Sequence, residues 1–187
     1  MNIVTKKDLR ERILTLLRNQ REEQRLKKSA LICSQLINMS AFKKAATILF
    51  YMPFDGEVNT IEMITLAKKL GKKIALPRIM QLKKTIVPTL IECLDSHLEV
   101  GPYGIQQPKD TGTNALKLDA LDMVVVPGIA FDKKNYRLGR GSGYYDRFLS
   151  KLSSHIPTVG LAFDFQIVEK IPQQERHDMA VSHVLLN

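Results

Sequence analysis

Apolar positions recur at helical spacing along the first forty residues. Leu9, Ile13, Leu16 and Leu17 form one stripe, and Thr5 followed three residues later by Asp8 gives a capping-box-like start, so a helix is expected from Thr5 onward. A second helix over residues 21–39 would place Leu26, Ala30, Cys33, Leu36 and Ile37 on one face. The pattern then changes period. TILFYMP (47–53) reads as a buried strand, NTIEMITLAKKLG (59–71) as a helix with Thr60 near its cap and Gly71 at its end, and KKIALPRI (72–79) as another strand, together a βαβ unit. Further strands are expected at 84–92, 122–127, 157–163 and 180–186, with a Gly- and Pro-rich loop region over 95–114, a helix over 143–153 and a short helix before the last strand. Apolar strands alternating with helices argue for a three-layer α/β domain around a mostly parallel sheet, with helices at its N-terminus. No repeat, low-complexity tract or linker divides the 187 residues, so a single domain over 1–187 is expected.

Composition narrows the function classes. The apolar share of 44% and charged share of 25% are those of a soluble protein, and the longest apolar runs fall short of a membrane span. The opening residues mix acids with bases and resemble neither a secretory nor a transit segment, so a cytoplasmic protein is expected, with no membrane partner. Cys33 and Cys93 show no metal-ligand spacing, nor do His97, His155, His177 and His183. A net charge of +9 implies an anionic partner, either a phosphorylated small molecule or nucleic acid. Nine of the basic residues and only four acids fall within the first 28 positions, which makes the N-terminal region the basic arm.

The densest chemistry lies in RLGRGSGYYDRFL (137–149), which follows the strand-like run DMVVVPGIAF (122–131). In α/β sheets ligands bind beyond the carboxyl ends of the strands, and this segment lies on that side. Gly139, Gly141 and Gly143 permit backbone angles that turn successive N–H groups toward an anion, and Arg137 and Arg140 add forked donors suited to phosphate oxygens. The same segment also reads as a flexible turn with solvated arginines. Asp146, one turn into the expected helix, is placed either to meet a metal held by phosphates or simply to balance the helix start. Lys6 and Arg10 are i, i+4 partners beside the apolar stripe, an anion-binding pair or a solvated face. Glu57, in MPFDGEVNT, follows the strand at 47–53 and can accept hydrogen bonds from a ligand or assist the next helix.

VVVPGIAFDKKNYRLGRGSGYYDRFL closely resembles the signature of the 5-formyltetrahydrofolate cyclo-ligase family, and KKDLR, YMPFDGEVNT, GKKIALPRI, YGIQQP, VGLAF and HDMAVSHVLLN agree in order over almost the full length. The resemblance implies a monomeric Rossmann-like enzyme that uses MgATP to convert 5-formyltetrahydrofolate to 5,10-methenyltetrahydrofolate through a phosphorylated formyl group, with ADP and phosphate released. By motif, it implies ATP phosphates on Lys6 and Arg10, and a nucleotide wrapped by Arg137, Leu138, Gly139, Arg140, Gly141, Ser142, Gly143, Tyr144 and Tyr145. It further implies catalytic roles for Arg140 and Tyr144, a folate site of Met52, Glu57 and Tyr144 joined by Arg140, Gly141, Ser142 and Gly143, and magnesium on Asp146 and Asp178. Gln107 stands where the family commonly has Glu, which removes a negative charge there. The stretch IMQLKKTIVPTL matches weakly and leaves Phe54 and Tyr103 as candidate stacking partners for the pterin. The rival readings are a catalytically weakened folate- or nucleotide-binding relative, suggested by Gln107, and a basic nucleic-acid-binding module, against which stands the lack of interleaved aromatic and basic residues.

Overall fold

The computed structural model describes residues 5–94 and 97–187. Positions 1–4 of the basic arm and 95–96 of the expected loop region lie outside the described residues. In chain order the elements are α1 (Lys6–Arg18), α2 (Glu22–Asn38), α3 (Ser40–Lys44), β1 (Thr47–Leu49), α4 (Ile61–Lys69), β2 (Lys73–Met80), β3 (Thr85–Ile91), β4 (Leu98–Val100), β5 (Gln106–Pro108), β6 (Met123–Val126), β7 (Ala130–Asp132), β8 (Arg137–Leu138), α5 (Tyr144–Leu149), β9 (Thr158–Ala162), β10 (Ile167–Val168) and β11 (His183–Leu186).

The central sheet runs β11-β9-β6-β1-β2-β3, parallel throughout except for β3, which returns antiparallel beside β2 as a hairpin. Its inner strands are mostly apolar because both faces are covered, with Thr47 and Thr158 at the starts of β1 and β9 and the charged Lys73 and Arg78 toward the ends of β2. Ile48, Ile74, Leu76, Met123, Val125, Val159 and Leu161 meet Leu9, Ile13 and Leu17 of α1, Ile32 and Leu36 of α2, Phe42 of α3 and Met63, Ile64 and Ala67 of α4 on one side. The alternate positions Leu49, Ala75, Val124, Val126 and Ala162 meet Phe148 and Leu149 of α5 and Ile156 on the other. The expected three-layer α/β sandwich is therefore present.

Several boundaries differ from the sequence reading. In α1 the capping box forms, with Thr5 Oγ1 accepting from the Asp8 N–H at 3.2 Å and Asp8 accepting from the Thr5 N–H at 2.9 Å, but Leu16 faces solvent. The face of α2 is rotated: Ser29, Ile32 and Leu36 are buried while Leu26 and Ala30 are exposed. Ser29 is tolerated inside because its hydroxyl donates to Arg25 O and accepts from the Asn59 N–H. The strand expected at 47–53 keeps only Thr47–Leu49 in the ladder, the helix expected over 143–153 spans Tyr144–Leu149, and the glycine-rich segment begins in a small hairpin of β7 and β8 that sequence period does not reveal.

Candidate functional site

β1 and β6 are neighbours, yet the chain leaves β1 toward β2 on one side and later enters β6 on the other. Loops leaving their carboxyl ends must diverge there, and such a switch point is where open α/β sheets form a ligand crevice. The loop after β1 carries Met52 to Glu57, and the segment after β6 carries Arg137 to Asp146, so two of the sequence-predicted groups meet at this point.

The first loop is a tight turn. Asp55 (φ 57°) and Gly56 (φ 85°) are both left-handed, the Asp-Gly arrangement such turns favour, and the Glu57 N–H donates to Phe54 O at 3.2 Å. A Cβ on Gly56 would lie 2.3 Å from Leu17 O, so the turn is pressed against the end of α1. Glu57 is buried; its Oε2 accepts from the Phe54 N–H at 3.1 Å and its Oε1 from Arg140 at 3.3 Å. Burial pushes this carboxyl up to about 7, against the pull of Arg140 and the Phe54 N–H. Met52 is half-buried against the α1–α4 side of the core.

The second segment is looser. Gly141 (φ 104°) and Gly143 (φ 64°) take left-handed angles, and Gly143 caps α5. Arg140 leans across the crevice: its guanidinium lies 4.7 Å from the centre of the Phe54 ring and donates to Asp55 (3.2 Å), Glu57 (3.3 Å) and Phe54 O (3.5 Å). α1 supplies Lys6 and Arg10, both of which find partners within the chain. Arg10 Nε donates to Gly139 O at 3.0 Å, and Lys6 Nζ donates to Asp178 at 2.8 Å. Ser142 O accepts from Arg147 at 2.6 Å, and Arg147 also donates to Lys84 O in the β2–β3 turn at 2.9 Å. Partial burial, followed by the neighbouring Tyr103, raises the pKa of Tyr144; Tyr103 itself is exposed and has a φ of 63°.

Three of the predicted residues face inward. Leu138 is buried in β8, and the Arg137 side chain is buried against Asp146 (3.1 Å), Met179 O (3.3 Å) and the Tyr145 ring. The Tyr145 hydroxyl is buried without a hydrogen-bond partner, and burial, followed by the nearby Glu57, raises its pKa. Asp146 Oδ1 accepts from Arg137 and from the Met179 N–H, while Asp178 Oδ2 accepts from Lys6 and from the Glu175 N–H. Burial opposes ionisation of Asp178, but Lys6 and the Glu175 N–H outweigh it and hold its pKa below the usual value. Asp146 and Asp178 thus converge on the same turn, each with one carboxylate oxygen outside these bonds. Among the described residues no cluster of three or more His, Cys, Asp or Glu is assembled.

Gln107 is buried, with Oε1 accepting from the Ile79 N–H at 3.1 Å and Nε2 donating to Glu99 at 3.3 Å. The amide meets both needs without a charge and ties β5 to β2. Sequence reasoning passed over Asp55, Arg18 and Arg147, of which Asp55 carried a signal in the Asp-Gly pair. Two cavities of about 320 and 540 Å³ lie at the opposite, amino ends of the strands, lined by residues such as Leu118 and Ile156 or Lys73 and Thr113. At the carboxyl ends, the Arg140 guanidinium lies over the Phe54 ring inside the crevice. Among the described residues no helix is long and apolar enough to cross a membrane.

With cations and glycines on one wall, a buried acid on the other and an arginine between them, the crevice suits a phosphorylated ligand beside a hydrogen-bond-donating one. The chain matches the model of the 5-formyltetrahydrofolate cyclo-ligase family over residues 2–187. It is 32% identical to the 5-formyltetrahydrofolate cyclo-ligase of Haemophilus influenzae over 188 residues, covering all of both chains. It is 33% identical to that of Mus musculus, covering 96% of this chain and 92% of the relative. The solved structure of Aquifex aeolicus 5,10-methenyltetrahydrofolate synthetase superposes with a TM-score of 0.83 at 31% identity, covering 97% of this chain and 89% of the other.

Proposed function

The chain belongs to the 5-formyltetrahydrofolate cyclo-ligase family, and from that premise we propose how its crevice carries out the ATP-dependent closure of 5-formyltetrahydrofolate to 5,10-methenyltetrahydrofolate. The formyl oxygen attacks the terminal phosphorus of ATP and ADP departs. The second folate nitrogen then adds to the activated carbon and loses its proton, and the C–O bond breaks so that phosphate leaves with the former formyl oxygen. The protein's contribution is positioning and charge stabilisation.

Lys6, Arg10 and the backbone from Gly139 to Gly143 hold the ATP phosphates. Glu57, ionised, accepts hydrogen bonds from the pterin's amino and ring N–H groups, with Met52 and Tyr144 lining the folate. Arg137, turned inward, serves by fixing Asp146 rather than by reaching phosphate. The spare carboxylate oxygens of Asp146 and Asp178 are the hard donors magnesium prefers, and two carboxylates completed by phosphate oxygens and water suit its usual coordination. Bound there, it would neutralise charge on the transferring phosphate. A single 187-residue domain acting as a cytoplasmic monomer remains the organisation we propose.

One observation carries this reading: the Arg140 guanidinium lies between the glycine segment and the buried Glu57, where phosphate and formyl group would have to meet. The test follows absorbance of methenyltetrahydrofolate in the near ultraviolet with 5-formyltetrahydrofolate and MgATP. The parent protein should produce the signal, and Arg140→Ala should cut single-turnover rate about 100-fold or more without weakening folate binding. Arg140→Lys should recover only part, since it lacks the planar fork. Absence of product with the parent protein would favour a binding-only relative, and a parental rate in Arg140→Ala would remove the arginine from catalysis.

A further inference from the structure

α1 reaches both walls of the crevice. Arg10 holds the glycine segment through Gly139 O, and Arg18, two turns further on, holds the turn after β1 through Asp55: Nε donates to Oδ1 at 2.7 Å and the terminal nitrogen to Oδ2 at 2.8 Å. The same Oδ2 accepts from Arg140 at 3.2 Å. Asp55 therefore divides one carboxylate between two guanidinium groups. Arg18 takes it in the stronger, bidentate form, and its hydrogen bond leads the effects that hold the Asp55 pKa below the usual carboxylate value. Asp55 is also rigidly placed, because its left-handed turn is packed on α1 at Gly56.

We propose that Asp55 is a positioning residue that draws Arg140 toward the Glu57 wall of the crevice, and that Arg18 sets the strength of that hold by competing for the same carboxylate. This deepens the proposed function and rests on its reading of Arg140 as a group that engages phosphate. A nucleotide must draw Arg140 from Asp55, whereas a pterin on Glu57 displaces the same guanidinium from its other acid. Whichever ligand arrives first loosens Arg140, so the second binds more tightly, and the two substrates favour each other's binding.

The geometry makes a prediction of opposite sign for two neighbouring variants. Asp55→Asn weakens the hold and should tighten binding of a non-hydrolysable ATP analogue with magnesium by about two- to fivefold. Arg18→Met leaves Asp55 to Arg140 alone and should weaken binding of the same analogue by a similar factor. Asparagine is the replacement best suited to the left-handed φ of 57°, and thermal melting checks that both variants are folded. Titration calorimetry with the analogue, in the presence and absence of 5-formyltetrahydrofolate, should also show mutual tightening in the parent protein that is reduced in Asp55→Asn. A purely structural role for the pair would make both variants bind more weakly. Any result in which the two do not move affinity in opposite directions, or in which mutual tightening is absent from the parent, overturns the proposal. Arg140→Ala in the same titration separates the two ideas: unchanged analogue affinity there would place the failure in the reading of Arg140 itself.

Discussion

The loop after β1 and the segment after β6 face each other across the same crevice but are built by opposite means. The first is short and locked: its left-handed turn is pressed on Leu17 O, its acid is buried, and both oxygens of that acid have donors. The second is long and open: a Cβ on Gly139 would meet nothing within 4 Å, and one on Gly141 would come no nearer than 3.7 Å to Arg10. A flat heterocycle recognised by directed hydrogen bonds needs an acceptor held still. A polyphosphate needs backbone that can close around it. The contrast teaches that glycine serves two purposes here, filling a space too small for any side chain in one wall and keeping an approach clear in the other.

The largest effect should come from the locked wall. Gly56→Ala combines a clash with backbone and a left-handed angle, and should cost about 4 kcal/mol of stability, measured by denaturant unfolding. A loss below about 1 kcal/mol would mean the turn can lift off α1 and is not locked.

Next comes the buried acid. Glu57 rises from 4.5 to about 7 in the folded protein, so the native state holds its proton more tightly than the unfolded chain. The stability this contributes is full below pH 4.5 and is lost as pH rises through 7, a swing of about 3 kcal/mol. Relative to the parent, Glu57→Gln should therefore gain stability as pH is raised from 5 to 8. Folate affinity of the parent should fall as pH drops through 7 and stay flat in the variant. A stability difference independent of pH would show that Glu57 is ionised throughout and that the two walls differ less than their burial implies.

The smallest effect on folding belongs to the open wall. Gly139→Ala should change stability by less than about 0.5 kcal/mol while weakening ATP binding severalfold, because the added methyl occupies the ligand's path rather than the protein's. Unaltered ATP affinity would move the phosphates away from Gly139.

Much of this contrast could be anticipated from the chain, and the reasons it could be are local. The capping box of Thr5 and Asp8, the continuous apolar strands and the glycine spacing all act over a few residues, so sequence period reveals them. The rotated face of α2 could not be seen because Ser29 is buried through hydrogen bonds to Arg25 O and from the distant Asn59 N–H, a pairing that hydrophobicity does not encode. The inward turn of Arg137 likewise depends on Met179 O, contributed by a segment 42 positions away. The crossing of Arg140 onto Asp55 and Glu57 depends on the strand order that makes β1 and β6 neighbours. Most wall residues were therefore legible, Asp55 excepted, and the links between walls were not.

The ion pair between Lys6 and Asp178 joins positions 172 apart in the chain. On a ribosome adding roughly 5–20 residues per second, α1 emerges about 10–35 s before the acid it will hold. Through that interval its cations have no Asp178 to meet, and the crevice has no complete set of charges to offer a nucleotide. Synthesis from one end thus makes the proposed ATP site one of the last parts to be completed, after every strand of the central sheet except β11 has been made.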